Sequence, residues 1–189
     1  MKNYEFITLE GIEGVGKSTA IQVVKRVLEE MGRDVVITRE PGGTAIGEKV
    51  RDILLSTQNE AMSPVSELFL LLAARAQHLS EVVSPALASG KCVVCDRFFD
   101  ATFAYQGAGR GLDTSIIKSA TELISPFFVP TLTLLLDAPV EVGFERIENR
   151  GHTDRFEEQN KVFFERIRAS YLNRARLEPK RFCVIDASQ

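Results

Sequence analysis

Gly11-Ile12-Glu13-Gly14-Val15-Gly16-Lys17-Ser18 constrains this chain more than any other stretch. It has the form G-x-x-x-x-G-K-[ST] and follows the apolar run Phe6-Ile7-Thr8-Leu9, which reads as a buried strand. Beyond it, Ala20, Val23, Val24, Val27, Leu28 and Met31 recur at helical spacing until Gly32 stops them. Glycines at such a strand-to-helix turn let successive backbone N–H groups face one anion. The helix N-terminus adds a partial positive charge, Lys17 adds a full one, and the Ser18 hydroxyl is placed to ligate magnesium. A nucleoside triphosphate fits that cradle.

The rest of the chain alternates strands and helices. Asp34-Val35-Val36-Ile37-Thr38 reads as a second strand ending in the turn-forming cluster Arg39-Glu40-Pro41-Gly42-Gly43, and Ile46, Val50, Ile53 and Leu54 mark a short amphipathic helix. Ser63-Pro64 starts a longer helix that should reach about Ser84, where Pro85 is expected to kink or break it. Between Leu68 and Leu79 that helix is apolar on nearly every face, more than one sheet can cover, so a subunit partner is the economical explanation.

Cys92-Val93-Val94-Cys95-Asp96 and Thr131-Leu132-Thr133-Leu134-Leu135-Leu136-Asp137 are continuous apolar runs ending on a carboxylate, which suits parallel strands covered on both faces. Between them lie a polar and aromatic segment, Arg97 to Gly111, and a helix from about Asp113 to Ile124. A helix from Pro139 leads into the charged loop Asn149-Arg150-Gly151-His152-Thr153-Asp154-Arg155. A further helix carries Val162, Phe163, Ile167, Tyr171 and Leu172, and Phe182-Cys183-Val184-Ile185-Asp186 is a fifth strand. This order predicts a doubly wound α/β fold with a five-stranded parallel sheet flanked by helices, whose ligands sit at the carboxyl ends of the strands. Such a fold usually adds a covering helix after its last strand, so the sequence is expected to lack its natural end.

At 189 residues the chain suits one domain, and 44% hydrophobic residues with a formal net charge of -3 describe a soluble protein. That balance gives no electrostatic pull toward nucleic acid or an anionic membrane. There is no secretory h-region and no apolar run near the eighteen or so residues that span a bilayer, so the cytoplasm is the default expectation. The three cysteines suggest no disulfide framework. Cys92 and Cys95 have C-x-x-C spacing but lie in a strand, where positions three apart point to opposite faces. With two histidines, His78 and His152, a histidine-based metal site has little to draw on.

Asp96, at a strand's carboxyl end, falls where an acidic residue would meet the magnesium bound by Ser18. Arg97 beside it suits an acceptor phosphate, and Arg39, Arg51 and Arg75 fall on the same rim. A phosphate acceptor is already mostly ionised at pH 7, so no general base is needed. The enzyme must instead supply in-line positioning and cancellation of charge. A lid at about residues 146–157 can close over the nucleotides and deliver guanidinium groups, worth about a thousandfold or more in rate.

With Thr38-Arg39-Glu40-Pro41-Gly42-Gly43-Thr44, Ala73-Ala74-Arg75, Asp96-Arg97-Phe98 and Ala104-Tyr105-Gln106-Gly107 added to the phosphate loop, the chain resembles the bacterial thymidylate kinases from its first strand to Asp186. The resemblance implies a three-layer P-loop NTPase fold and transfer of the γ-phosphate of ATP to dTMP, with Mg2+, in a homodimer serving dTTP synthesis. It implies ATP binding by Gly11 through Thr19 with Arg146, magnesium at Ser18 and Asp96, and stabilisation of the transferring group by Lys17. It places the dTMP phosphate on Arg97 with Arg39 or Arg51, and Pro41 and Glu13 near the acceptor. Arg75 would bond a thymine carbonyl, Thr102 and Gln106 would lie along the base and sugar, and Tyr105 would crowd the sugar's 2' position.

Some members carry a catalytic arginine inside the phosphate loop where this chain has Gly14, so the charge must come from the lid; Arg150 is the first choice and Arg146 the second. Two departures stand out. A serine common after the Asp-Arg motif is Ala101, and the aromatic expected to stack on thymine one turn before Arg75 is replaced by Leu71 and Leu72, leaving Phe69 as the nearest aromatic. Rival readings are another nucleoside monophosphate kinase, a GTP-binding switch and a non-catalytic scaffold. The switch should show Asp-x-x-Gly and Asn-Lys-x-Asp, and neither occurs.

Overall fold

The computed structural model describes residues 5–59, 62–124, 128–148 and 154–189. Its centre is a five-stranded parallel sheet in the order β2-β3-β1-β4-β5. The strands are β1 (Phe6–Glu10), β2 (Val35–Arg39), β3 (Cys92–Asp96), β4 (Leu132–Asp137) and β5 (Phe182–Asp186). Continuous apolar sequence makes β1 and β3 inner strands, because only side chains that tolerate cover on both faces can fill them. Ile7, Leu9, Cys92 and Val94 face α1 (Lys17–Glu30) through Ile21 and Leu28. Phe6, Val93 and Cys95 face the opposite layer, so Cys92 and Cys95 point apart as expected.

Besides α1, the layers contain α2 (Ala45–Leu55), α3 (Pro64–His78), α4 (Ser84–Ala88), α5 (Phe99–Thr102), α6 (Thr114–Ile124), α7 (Val140–Glu148) and α8 (Lys161–Leu177). No described helix is long and apolar enough to cross a membrane.

Of the two outcomes expected at Pro85, a kink or a break, the break does not occur, and two further local features go beyond the sequence pattern. Pro85 does not break the long helix: a π-helical turn at Leu79–Val83 leads directly into α4, and the Ser84 hydroxyl donates to the Leu79 carbonyl at 2.6 Å. Widening the turn just before proline accommodates a residue that has no N–H to give and a ring that would clash with a regular turn. The polar and aromatic segment from Arg97 to Gly111 is largely helical, α5 running into a π-helical stretch at Phe103–Gly109. On α1, Val23, Val27 and Met31 are exposed, and it is Ile21 and Leu28 that anchor the helix.

β1 ends on an acid buried in the core. Glu10 is fully buried, accepting the Phe98 backbone N–H at 2.8 Å and the Tyr171 hydroxyl of α8 at 2.7 Å. Burial, reinforced by the charge of Asp100, pushes its carboxyl up from 4.5 to about 8. The folded chain therefore keeps a proton that the unfolded chain has released. The associated stability is full below about 4.5 and is lost as pH rises through about 8. Glu10→Gln, which mimics the protonated acid, should remove this part of the decline when urea unfolding is followed across that window. An unchanged slope in the variant would contradict the assignment.

Candidate active site

The loop after β1 and the segment after β3 meet at the carboxyl edge of the sheet, around a cleft of about 420 Å³. Glu13, Gly14, Gly16, Lys17 and Ser18 line it from the loop side. Ile12 and Val15 turn their side chains into the core, so at those positions the loop presents backbone alone. Gly14 has a φ of +73°, and a Cβ there would stand 2.3 Å from the carbonyl oxygen of Gly143 in α7. No side chain fits, which explains structurally why an in-loop arginine is absent here.

The start of α1 is left open. Thr44, Ser63 and Asn160 cap α2, α3 and α8 with side-chain oxygens, whereas α1 begins at Gly16 without a side-chain cap. Its first-turn amides are therefore free for an anion. Lys17 donates to the carbonyls of Ile12 at 2.8 Å and Gly11 at 3.2 Å. Burial, with Arg97 nearby, pulls its ammonium down from 10.5 to about 8, a cost that a bound phosphate would relieve. Asp96 Oδ1 is buried with no partner among the described residues. A bare carboxylate oxygen beside Ser18 and the amide cradle fits a magnesium ion whose remaining ligands are phosphate and water. No described cluster of three or more His, Cys, Asp or Glu side chains offers a complete protein cage.

Arg97 joins the backbone of the loop to Glu13 and Tyr105. It leaves β3 with a φ of +69° and donates through Nη1 to the Gly11 carbonyl at 2.7 Å and the Tyr171 hydroxyl at 3.2 Å. Its Nη2 donates to Glu13 at 2.9 Å, and its guanidinium stacks on Tyr105 with 4.9 Å to the ring centroid. The Tyr105 hydroxyl donates to the other Glu13 oxygen at 2.5 Å. Glu13 thus holds both the arginine and the tyrosine.

Across the cleft, Arg75 donates through Nε to Glu40 at 2.7 Å and through Nη2 to the Thr102 hydroxyl at 3.0 Å, leaving Nη1 buried without a described partner. Gln106, Pro41 and Arg51 complete this wall. Arg51 donates to the Pro41 carbonyl at 2.9 Å, and burial together with Arg39 depresses its basicity, the mark of a cation short of anions.

Several expected contributors lie elsewhere. Arg39 is outside the lining, engaged by Glu48 at 2.7 Å on the exposed side of its loop, so of the two candidates only Arg51 faces the cleft. Phe69 is 65% exposed and also outside the lining. Six residues before Arg75 on a 3.6-residue helix is the far side, whereas Leu71 at four residues shares Arg75's face and lines the cleft with Phe98. Thr19 is exposed on α1 and is not part of the lining. Arg146 is not in the cleft; it donates to the carbonyls of Gly14 at 3.3 Å, Ala187 at 3.1 Å and Gln189 at 2.9 Å, bracing the loop from behind. Arg150 lies outside the described residues, while Arg155 is buried and committed to Glu67 and the Leu54 carbonyl.

Sequence reasoning missed Glu40, Glu67, His78 and Tyr171. The signal for two of them was available: Glu67, Leu71, Arg75 and His78 fall four, four and three apart on α3, a polar stripe within an apolar helix. Glu67, Arg75 and His78 are buried, whereas Val65 and Phe69 are exposed, so this helix points its charges inward.

Residues 9–189 match the family model described as Thymidylate kinase. A thymidylate kinase of Pseudomonas putida strain W619 is 53% identical over 184 residues, covering 97% of this chain and 89% of that protein. The thymidylate kinase of Alcanivorax borkumensis is 51% identical over 184 residues, with coverage of 97% and 88%. A crystal structure of thymidylate kinase from Ehrlichia chaffeensis superposes with a TM-score of 0.78 at 34% identity, over 96% of this chain and 89% of that one. A phosphate loop facing an Asp-Arg strand end, in a chain matched over nearly its whole length, places this protein in the thymidylate kinase family.

Proposed function

We propose that the chain, acting as one kinase domain, transfers the γ-phosphoryl group of ATP to dTMP, giving dTDP and ADP on the route to dTTP. The observation that carries this reading is Arg97, anchored at once to the phosphate loop and to the Glu13–Tyr105 pair on the acceptor side. The acceptor phosphate is the nucleophile and needs no base at neutral pH. The chain's own work is to hold two polyanions tip to tip. The open amides of α1 and Lys17 take the donor's phosphates, while Arg97 and Arg51 offset the charge of the acceptor's. Ser18 and Asp96 would hold a magnesium ion, which when bound shields the donor phosphates. Arg75, Thr102 and Gln106 orient the base, and the Tyr105 ring fills the space that a 2' hydroxyl would need.

Arg150 supplies the lid charge in this proposal, because Arg146 and Arg155 are occupied with other partners. The apolar stripe Val65, Phe69, Ala73 and Ala76 on α3 is exposed and uncharged, which suits a second copy of the chain, and we place the resulting homodimer in the cytoplasm. Light scattering should then give twice the chain mass, falling to one on Phe69→Glu; a wild-type monomer would refute it.

A coupled ADP-release assay over a panel of monophosphates tests the activity. dTMP should lead dGMP, AMP and CMP by a wide margin, and a flat response to dTMP would end the proposal. In the same assay Arg51→Ala should raise KM for dTMP about tenfold or more, Arg39→Ala much less, and Arg150→Ala should lower kcat more than it raises KM. Equal effects at Arg39 and Arg51 would contradict the assignment of the acceptor phosphate, and an unchanged kcat at Arg150 would contradict its role.

A further inference from the structure

Two buried carboxylates stand behind the wall that reads the base. Glu67 of α3 is fully buried and accepts from Gln106 Nε2 at 2.7 Å, from Arg155 Nη2 at 2.6 Å and from Arg110 Nε at 3.3 Å. A carboxylate only accepts, so the Gln106 amide must give it the NH2 group, and the group left for the cleft is the amide oxygen. Turning the amide over would set oxygen against oxygen between two buried groups.

Glu40 does the same for the neighbouring arginine. Its Oε2 takes Arg75 Nε at 2.7 Å, and its Oε1 lies 2.9 Å from His78 Nδ1. His78, itself fully buried, has its other ring nitrogen 2.6 Å from the Thr38 hydroxyl. Facing a carboxylate, Nδ1 carries a proton, and the hydroxyl satisfies Nε2. With Nη2 on Thr102, the arginine keeps Nη1, buried at the cleft, without a partner among the described residues. Gln106 follows Thr102 by about one helical turn, which brings the two reading groups onto one wall.

We propose that Glu67 and the His78–Glu40 pair are positioning residues that fix the polarity of the base-reading edge before substrate arrives. Glu40 and His78 fix where the donor-only guanidinium of Arg75 points, and Glu67 commits Gln106 to an oxygen acceptor. A donor beside an acceptor complements a ring carbonyl beside a ring N–H, the edge shared by thymine and uracil. Cytosine presents an amino group beside a bare nitrogen, the opposite order, and would leave both buried groups unpaired. Polar groups that cannot turn over make such discrimination steep. This inference rests on dTMP being the acceptor and adds what holds its reader in place.

The test is kcat/KM for dTMP, dUMP and dCMP in the wild type, Glu67→Gln, His78→Leu and His78→Asn. Glu67→Gln allows the Gln106 amide to turn and should lower the dTMP-to-dCMP ratio about tenfold or more, mainly through KM for dTMP, with dUMP following dTMP. His78→Leu should lower the ratio as well, and His78→Asn, which keeps an N–H toward Glu40, should restore most of it. A residue that only supports the fold would lower all three substrates by one factor. If Glu67→Gln fails to fold for want of charge against Arg155 and Arg110, the two His78 variants decide. A wild type that uses dTMP, with folded variants that leave the ratio unmoved, overturns this inference alone; a wild type that does not use dTMP overturns the proposed function and this inference with it.

Discussion

The register of β1 against β3, with Leu9 level with Asp96, determines where everything at the active edge can be. Two parallel neighbours release their chains on the same side of the sheet. The phosphate loop and the Arg97 segment must therefore emerge together, and they are stitched at once. Arg97 N–H donates to the Leu9 carbonyl at 3.0 Å, Phe98 N–H to the Glu10 carboxylate at 2.8 Å, and the Arg97 side chain to the Gly11 carbonyl at 2.7 Å. A slip of one residue would turn over the side chains of the strand that moved, taking either Glu10 from Tyr171 or Asp96 from the cradle. Burying Glu10 lowers stability, yet it supplies the Tyr171 hydroxyl with the acceptor that holds it against Arg97. The fold accepts this cost where it orients Arg97 at the cleft.

The cleft is also where local rules of good structure are broken together. A long helix starts without a side-chain cap, a carboxylate oxygen of Asp96 and a guanidinium nitrogen of Arg75 are buried with no partner among the described residues, and a lysine sits where burial weakens its charge. Each is unfavourable alone, and each would be relieved by one part of a nucleotide pair: phosphate, metal ion, base carbonyl and phosphate again. That they face one volume, rather than being scattered, is the structural argument for a single reaction there.

Much of this was legible in the sequence because the governing patterns are local. The phosphate loop announces itself by glycine spacing, and the unbroken runs Cys92–Asp96 and Phe182–Asp186 match β3 and β5 residue for residue. What could not be read was decided by facing and by distant partners. Arg39 and Arg51 look alike in sequence, and only the pull of Glu48 separates them. Phe69 was the nearest aromatic to Arg75 along the chain but lies on the wrong side of α3, where Leu71 takes the inner position. Arg155 resembled a mobile lid charge until Glu67, 88 residues away in sequence, was found to bind it. Val23 and Val27 of α1 kept helical rhythm without being covered, because periodicity reports a helix and not the depth at which it is packed.

The central claim is that two nucleotides meet over the open end of α1 with Arg97 between them. A crystal structure with dTMP, magnesium and a non-hydrolysable ATP analogue measures this directly. The account predicts the analogue's phosphates on the amides from Gly14 to Ser18, the dTMP phosphate within hydrogen-bond distance of Arg97 and Arg51, and a thymine carbonyl on Arg75 Nη1. A monophosphate bound outside this cleft, with Arg97 still closed on Glu13 and Arg75 Nη1 still bare, would contradict it.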